Sequence, residues 1–355
     1  EFTDFRRMLD QATDVDAVLC ATPDHTHAVV SVAAMRAGRH VYCEKPLTHN
    51  VAEARLVARV ARETGLATQM GNQGHSNDGI RQTVEWVQAG AIGNVTAVHA
   101  WVPATRWNVG LKGAPTTADR PPAGLDWDLW LGPRDDRPFH STYAPVSWRD
   151  YWQFGCGAMG DFGCHDLDSA CWALNLKAPD VVEMHPAGYM DKDIAPYGEI
   201  GYFDFSERGD QKAVRITWYS GGLQPPRPGE LPVGLELPRR GVLFVGDRGI
   251  LVCGGAGGPA ELFPESRRAE FTPPQPTIPR SNGHHRDWID AIKGGPAASS
   301  NFEYGARLTE ITLLGVASLR TGKRLVWDYD NMTAKGVPEA EVVLNGSYRP
   351  GWKPA

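Results

Sequence analysis

The chain has 355 residues, 42% of them hydrophobic and 22% charged, which is enough apolar sequence to close a packed core over two domains. Its net charge of −6 gives no basic footprint for nucleic acid or an anionic membrane surface. No apolar run reaches the roughly 18 residues that a spanning helix needs.

The six cysteines are Cys20, Cys43, Cys156, Cys164, Cys171 and Cys253. They form no CxxC pair, so a zinc ribbon or thioredoxin motif is not expected, and in a chain of this size they read as buried free thiols.

The chain opens at Glu1 with a helix-like segment, DFRRML, and carries no recognisable signal peptide there. Residues 17–21, AVLCA, are a continuous apolar run, the pattern of a strand covered on both faces. Residues 27–37 place Val29, Val30, Val32, Ala33 and Met35 ahead of Gly38, which reads as a helix with a glycine terminator. HVYCEKP is a second strand. Thr48 or Asn50 can cap the next helix, whose apolar face holds Ala54, Val57, Val60 and Ala61. LATQM, residues 66–70, is a third strand. Strands and helices alternating at this spacing predict βαβ units and a parallel sheet.

Residues 80–90 read as another helix and residues 94–102 as a strand leading out of this unit. Residues 103–148 are rich in Pro, Gly and Trp, the texture of a long connection that carries function. Beyond the segment 157–174, the short strand-like pieces VVEM, IGYFDF, AVRITWYS, VLFVG and ILVCG predict a mostly antiparallel sheet, with GDRG as a tight hairpin. Two helices and the strand RLVW close the chain. The fold class is therefore α/β. A partial Rossmann-type parallel unit over residues 1–100 precedes an α+β unit with an open, mostly antiparallel sheet over residues 101–355, and the C-terminal helices pack back on the first unit.

Three clusters carry potential chemistry. TPDHTH, residues 22–27, follows a parallel strand, where open α/β sheets bind ligands. Thr22 could approach a cofactor there, or Pro23 could simply break the strand and Asp24 cap the helix. EKP, residues 44–46, sets Lys45 at the next strand tip, where a lysine can hold a substrate hydroxyl or else stand solvated. GAMGDFGCHDLDSACWAL, residues 157–174, spaces Asp161, His165 and Asp168 along one helical stripe, beside an apolar stripe of Cys164, Leu167, Cys171 and Leu174. A carboxylate one turn before a histidine suits a general base. One histidine on this helix is too few for an HEXXH-type metal site, so no metal is expected.

Together the clusters resemble the Gfo/Idh/MocA oxidoreductases, the glucose–fructose oxidoreductase and inositol dehydrogenase family. The TPxxxH pattern is met by Thr22, Pro23 and His27, and the EKP pattern by Glu44, Lys45 and Pro46. The family's second signature, G-x-G-x-x-x-D-x-G-x-H-x-x-D, is met by Gly155, Gly157, Asp161, Gly163, His165 and Asp168. The resemblance implies a catalytic set of Lys45, Asp161 and His165, with His165 taking a hydroxyl proton while hydride passes to NAD or NADP. It implies cofactor contacts from Thr22, Pro23, His27, Glu44 and Lys45, from Asn72 and Gln73 after the third strand, and from Trp148 and Arg149. Substrate contacts would come from Lys45, His165 and Asp168. Trp127, Trp130 and Trp152 are candidates for stacking on sugar faces or for core packing.

The implied substrate is a sugar, polyol or glycoside, and the implied assembly is a dimer or tetramer. One departure stands out. The Gly-rich fingerprint of the first βα turn belongs well upstream of TPDHTH, and GCGAMG, residues 155–160, matches its letters only within the second signature. The natural protein is therefore expected to be longer at its N-terminus, and an export signal there would decide between cytoplasm and periplasm. Two alternatives share the scaffold: a redox-neutral NAD-dependent glycosidase, and a non-catalytic sugar-binding protein.

Overall fold

The computed structural model describes residues 1–354. In chain order the elements are α1 (Phe5–Gln11), β1 (Ala17–Cys20), α2 (His27–Arg36), β2 (His40–Glu44), α3 (Val51–Thr64), β3 (Thr68–Gly71), α4 (Asp78–Gln88) and β4 (Val95–Trp101). There follow α5 (Trp127–Leu131), α6 (Gly157–Asp166), α7 (Asp168–Ala173), β5 (Val181–Ala187), β6 (Gly198–Phe205), β7 (Val214–Tyr219), β8 (Gly241–Gly246), β9 (Gly249–Gly254) and β10 (Ala260–Phe263). The chain finishes with α8 (Glu265–Glu270), α9 (His284–Ile292), α10 (Phe302–Thr321), β11 (Leu325–Asp328), β12 (Thr333–Ala334) and α11 (Ala340–Asn345).

Two sheets organise these elements. The first has three parallel strands in the order β1-β2-β3. Local signals set its helices. Asn50 caps α3 by accepting from the Glu53 amide at 2.9 Å, and Glu53 reaches back to the His49 amide at 3.0 Å. Gly65 ends α3 in the left-handed region at φ 65°. β1 departs from the expectation of a strand covered on both faces. Leu19 is 53% exposed, so only the Val18 and Cys20 face of β1 is covered.

The second sheet has nine strands in the order β10-β9-β8-β4-β7-β6-β5-β11-β12. Every neighbouring pair is antiparallel except β4 with β7. β4 thus belongs inside this sheet, and the change of sheet comes between α4 and β4, slightly before residue 100. Asp247 and Arg248 make the tight connection between β8 and β9.

The C-terminal helices do pack back. α10 lies against α3, α6, β3 and β5, so one long helix bears on both sheets. The Ser300 carbonyl accepts from the Met70 amide at 2.8 Å, and Arg55 of α3 forks onto Glu310 of α10 at 2.7 and 2.9 Å. The residues between β4 and α6 gather around an aromatic cluster of Tyr143, Trp148, Tyr151 and Phe154, with Trp127 and Trp130 against it.

α6 approaches α10 through glycine. A Cβ on Gly163 would stand 2.6 Å from Met159 Cε and 2.7 Å from Thr312 Cγ2, inside contact distance. Gly163→Ala should therefore push α6 away from α10 and destabilise the protein by roughly 1–3 kcal/mol. A urea unfolding curve with an unchanged midpoint would show that the helices have room to spare.

Candidate active site

A crevice opens beyond the C-terminal ends of β1 and β2, the place where an open parallel sheet admits ligands. Its cavity is about 690 Å³. Thr22, Pro23, Asp24, His27, Glu44 and Lys45 form one wall. Trp130, Phe139, Trp148 and Arg149 form the other, with Asp161 between the two walls. Each β-strand ends at a short turn that turns its side chains into this gap, while the second wall comes from the long connection and its aromatic cluster.

The two walls meet in one ion pair. Lys45 Nζ donates to the Asp161 carbonyl at 2.8 Å and forms a short contact with the Asp161 carboxylate. Trp107 Nε1 donates to the other carboxylate oxygen at 3.0 Å, and Arg149 lies 3.7 Å away. Burial works against ionised Asp161, but Lys45, Arg149 and Trp107 outweigh it, and its carboxyl sits below the usual carboxylate range. Arg149 in turn lies flat over the Trp148 ring, with its guanidinium carbon 4.2 Å from the ring centre.

His165 stands one turn beyond Asp161 on α6 and is not part of the crevice wall. Its Nδ1 is buried without a hydrogen-bond partner. Burial, together with the charges of Lys45 and Arg240, pushes the imidazole down to about 3, so it is neutral near pH 7. The expected single stripe of Asp161, His165 and Asp168 is broken, because α6 ends at Asp166 and Asp168 opens a new helix, α7. Asp168 is 1% exposed and is consumed by a polar network rather than facing the crevice. Asn72 Nδ2 at 2.9 Å, His75 Nδ1 at 3.0 Å and Tyr304 OH at 2.5 Å all converge on its carboxylate.

Asn72 is likewise turned away, since its side-chain oxygen accepts from Ser300 Oγ. Gln73 reaches Tyr42 OH at 3.1 Å and Glu44 at 3.2 Å, so it braces the crevice rim through Glu44. His27 lines the crevice but spends both ring nitrogens on backbone carbonyls, Pro46 at 2.8 Å and Thr22 at 2.7 Å. It thereby ties the tip of β1 to the tip of β2. Burial opposes its charge, yet Cys20, Asp24 and the two carbonyls together raise its pKa. Cys20, His27 and Cys43 are close enough to share an ion, although both His27 nitrogens are already engaged. Trp130 lines the crevice, Trp127 stacks behind it at 4.7 Å, and Trp152 lies elsewhere.

Trp107, which donates to Asp161, and Asp24, which lines the crevice, escaped the sequence reading. Trp107 sits in a stretch without periodicity, and only the fold brings it to Asp161. Asp24 carried a visible signal, beside His27, that was read as a helix cap. In the structure it caps nothing, since α2 is preceded by Thr26 without a side-chain cap.

The arrangement defines a class: a two-unit α/β nucleotide-binding fold whose ligand crevice lies between a parallel sheet and a large, mostly antiparallel one. Residues 1–72 match the model of the oxidoreductase family with an NAD-binding Rossmann fold, and residues 79–202 match that of the oxidoreductase family C-terminal alpha/beta domain. The chain belongs to the Gfo/Idh/MocA oxidoreductase family.

Among curated relatives, levoglucosan dehydrogenase of Pseudarthrobacter phenanthrenivorans is 24% identical over 47% of this chain and 35% of its own length. The 1,5-anhydro-D-fructose reductase of Ensifer adhaerens is 27% identical over 53% of this chain and 46% of its own. The matched region thus spans less than half of either protein. The WlbA dehydrogenase of Bordetella pertussis, solved with NADH and UDP-GlcNAcA, has a similar fold. Its TM-score is 0.62 at 17% identity, over 92% of this chain and 83% of that one.

Asp24 gives a pH-dependent prediction. It is 4% exposed, and burial raises its pKa from 3.8 to about 6 against the pull of His27 and Lys45. Between those values the folded state binds more protons than the unfolded state, so stability falls as pH rises through the window. Asp24→Asn removes this loss. It should raise Tm by about 2–4 °C at pH 7.5 and bring no gain at pH 4. Thermal melts showing the same offset at both pH values would rule this out.

Proposed function

We propose that the protein is an NAD(P)-dependent oxidoreductase acting on a hydroxyl of a sugar, polyol or glycoside. The observation that carries the reading is the Lys45–Asp161 pair at the mouth of the crevice, where a cation is anchored but one side of its ammonium group stays open to the cavity. The curated relatives are named for dehydrogenation or reduction of sugars and polyols, and family membership supplies the cofactor class.

The crevice suits the nicotinamide end of a dinucleotide. Thr22, Pro23, Glu44 and Lys45 offer backbone and side chains at the strand tips, and Trp148 and Arg149 close the opposite face. When bound, the cofactor supplies a hydride acceptor or donor. The protein's own residues do the rest. Lys45 Nζ donates to the substrate oxygen and holds it in place. Asp161 and Trp107 fix the position of that ammonium group. His165, neutral and one helical turn from Asp161, accepts the hydroxyl proton in the oxidative direction and returns it in the reductive one.

Incubation with NAD or NADP and a panel of sugars, polyols and aryl glycosides should give absorbance at the NADH band without glycoside cleavage. Lys45→Ala and His165→Ala should each lower turnover about 10²–10⁴-fold. Cleavage without NADH, or variants within a few-fold of wild type, would defeat the proposal. Because His165 is already neutral, wild-type turnover should show no acid limb at the ordinary histidine pKa that disappears in His165→Ala.

A further inference from the structure

A second cavity, of about 540 Å³, shares no lining residue with the crevice. Several segments contribute to both, one of them the run from Arg134 to Pro145, which alternates between the two cavities. His49 follows Lys45 by one turn of chain, and Trp152 and Gln153 follow Arg149. Arg134 and Arg137, from the segment after α5, and Arg320, from the last turn of α10, complete the polar part of the wall. Tyr143, Val342 and Val343 supply apolar surface beside them.

These wall groups are rich in donors and poor in acceptors. Trp152 is 3% exposed and His49 7%, yet Trp152 Nε1 and His49 Nε2 have no hydrogen-bond partner. The Nε atoms of Arg134 and Arg137 are buried and unpartnered as well. Arg320 is half-buried and makes no hydrogen bond or ion pair with any described residue, its guanidinium carbon lying 5.9 Å over the Trp152 ring. The unpartnered acceptors are Gln153 Oε1 and, in the neutral ring, His49 Nε2, so the unpartnered donors are those of Trp152, Arg134, Arg137 and Arg320.

The carboxylates nearby offset part of this charge, since buried Glu53 pairs with Arg134 at 3.4 Å, but none of them reaches Arg320. Asp136 is held by Arg349 at 2.9 Å, Asp193 lies 3.9 Å from Arg137, and Asp135 is exposed at the rim. Lys192 adds a further cation. Buried N–H groups left without acceptors cost free energy, and an oxyanion is the ligand that satisfies several of them at once. The volume falls within the roughly 300–1,000 Å³ of small-molecule sites and exceeds what a bare ion fills.

We propose that this cavity is a binding site for an organic oxyanion, a small molecule carrying a carboxylate or phosphate group. Its charged oxygens meet Arg320, Arg134 and the Trp152 N–H, while its body lies along Tyr143, Val342 and Val343. The site is independent of the crevice and of the reaction proposed there.

Calorimetric titration of the whole chain with glucose 6-phosphate, glucuronate, inorganic phosphate and neutral glucose tests this. Saturable binding is expected for glucose 6-phosphate or glucuronate, whichever head group the site prefers, and none for glucose. Arg320→Met and Trp152→Phe should each weaken that binding about 10–100-fold, while Lys45→Ala in the crevice should leave it unchanged. Trp152→Phe keeps the ring and loses only the N–H, so it serves if Arg320→Met does not fold. Absence of saturable binding for both organic anions overturns the proposal. So does loss of binding in Lys45→Ala with retention in Trp152→Phe, which would place the anion in the crevice.

Discussion

The site rests on a cation and an anion that the sequence holds far apart. Lys45 ends a strand of the parallel sheet, and Asp161 lies on α6 of the second unit, 116 positions along the chain. An ammonium group and a carboxylate this close, each mostly removed from water, fix the distance between two walls that otherwise meet only through loops. Losing either partner would leave the other buried without compensation, which costs far more than the pair itself contributes. The surrounding structure looks arranged around this constraint. Trp107 donates to the other carboxylate oxygen of Asp161 with Arg149 3.7 Å away, glycine lets α6 settle on α10, and α10 clamps the parallel sheet through Arg55–Glu310, with the Ser300 carbonyl just ahead of it.

Much of this was legible wherever the signal is local. The cap at Asn50, the terminator at Gly38 and the tight connection at Asp247 and Arg248 depend on a few neighbouring residues, and all stand where the sequence puts them. The positions of TPDHTH and EKP at strand tips follow from the βαβ pattern alone. The joining of Lys45 to Asp161 does not. It follows from the family signatures, because neither strand periodicity nor helix spacing reports which strand tip faces which helix.

The failures have a common physical origin. Helical spacing placed Asp168 on a stripe with Asp161 and His165, but it assumes an uninterrupted helix. The chain instead breaks at Leu167, and the carboxylate of Asp168 finds Asn72 and His75 from the segment after β3 and Tyr304 from α10. Asn72 was expected to face the cofactor for the same kind of reason: its place after β3 is right, but its amide is drawn inward to Asp168 and Ser300. Trp107 was missed because a long connection has no period to read. Burial decides these cases. A polar side chain inside the protein must find partners, and the partners are chosen by tertiary packing.

The same rule gives His165 its surroundings. Asp166, the residue after it, is fully buried and gripped by the Arg240 guanidinium at 2.6 and 2.9 Å, with the Ala256 amide at 3.2 Å. Asp168 after it is held by its own three donors. Both carboxylates that follow the imidazole in the chain are therefore pinned, one to the large sheet's connections and one to the β3 side. Neither carboxylate bonds to the imidazole. Its Nδ1 keeps no protein partner, and burial beside Lys45 and Arg240 leaves it uncharged. The two carboxylates after His165 are thus saturated by other donors, and neither competes for the proton of its neutral imidazole.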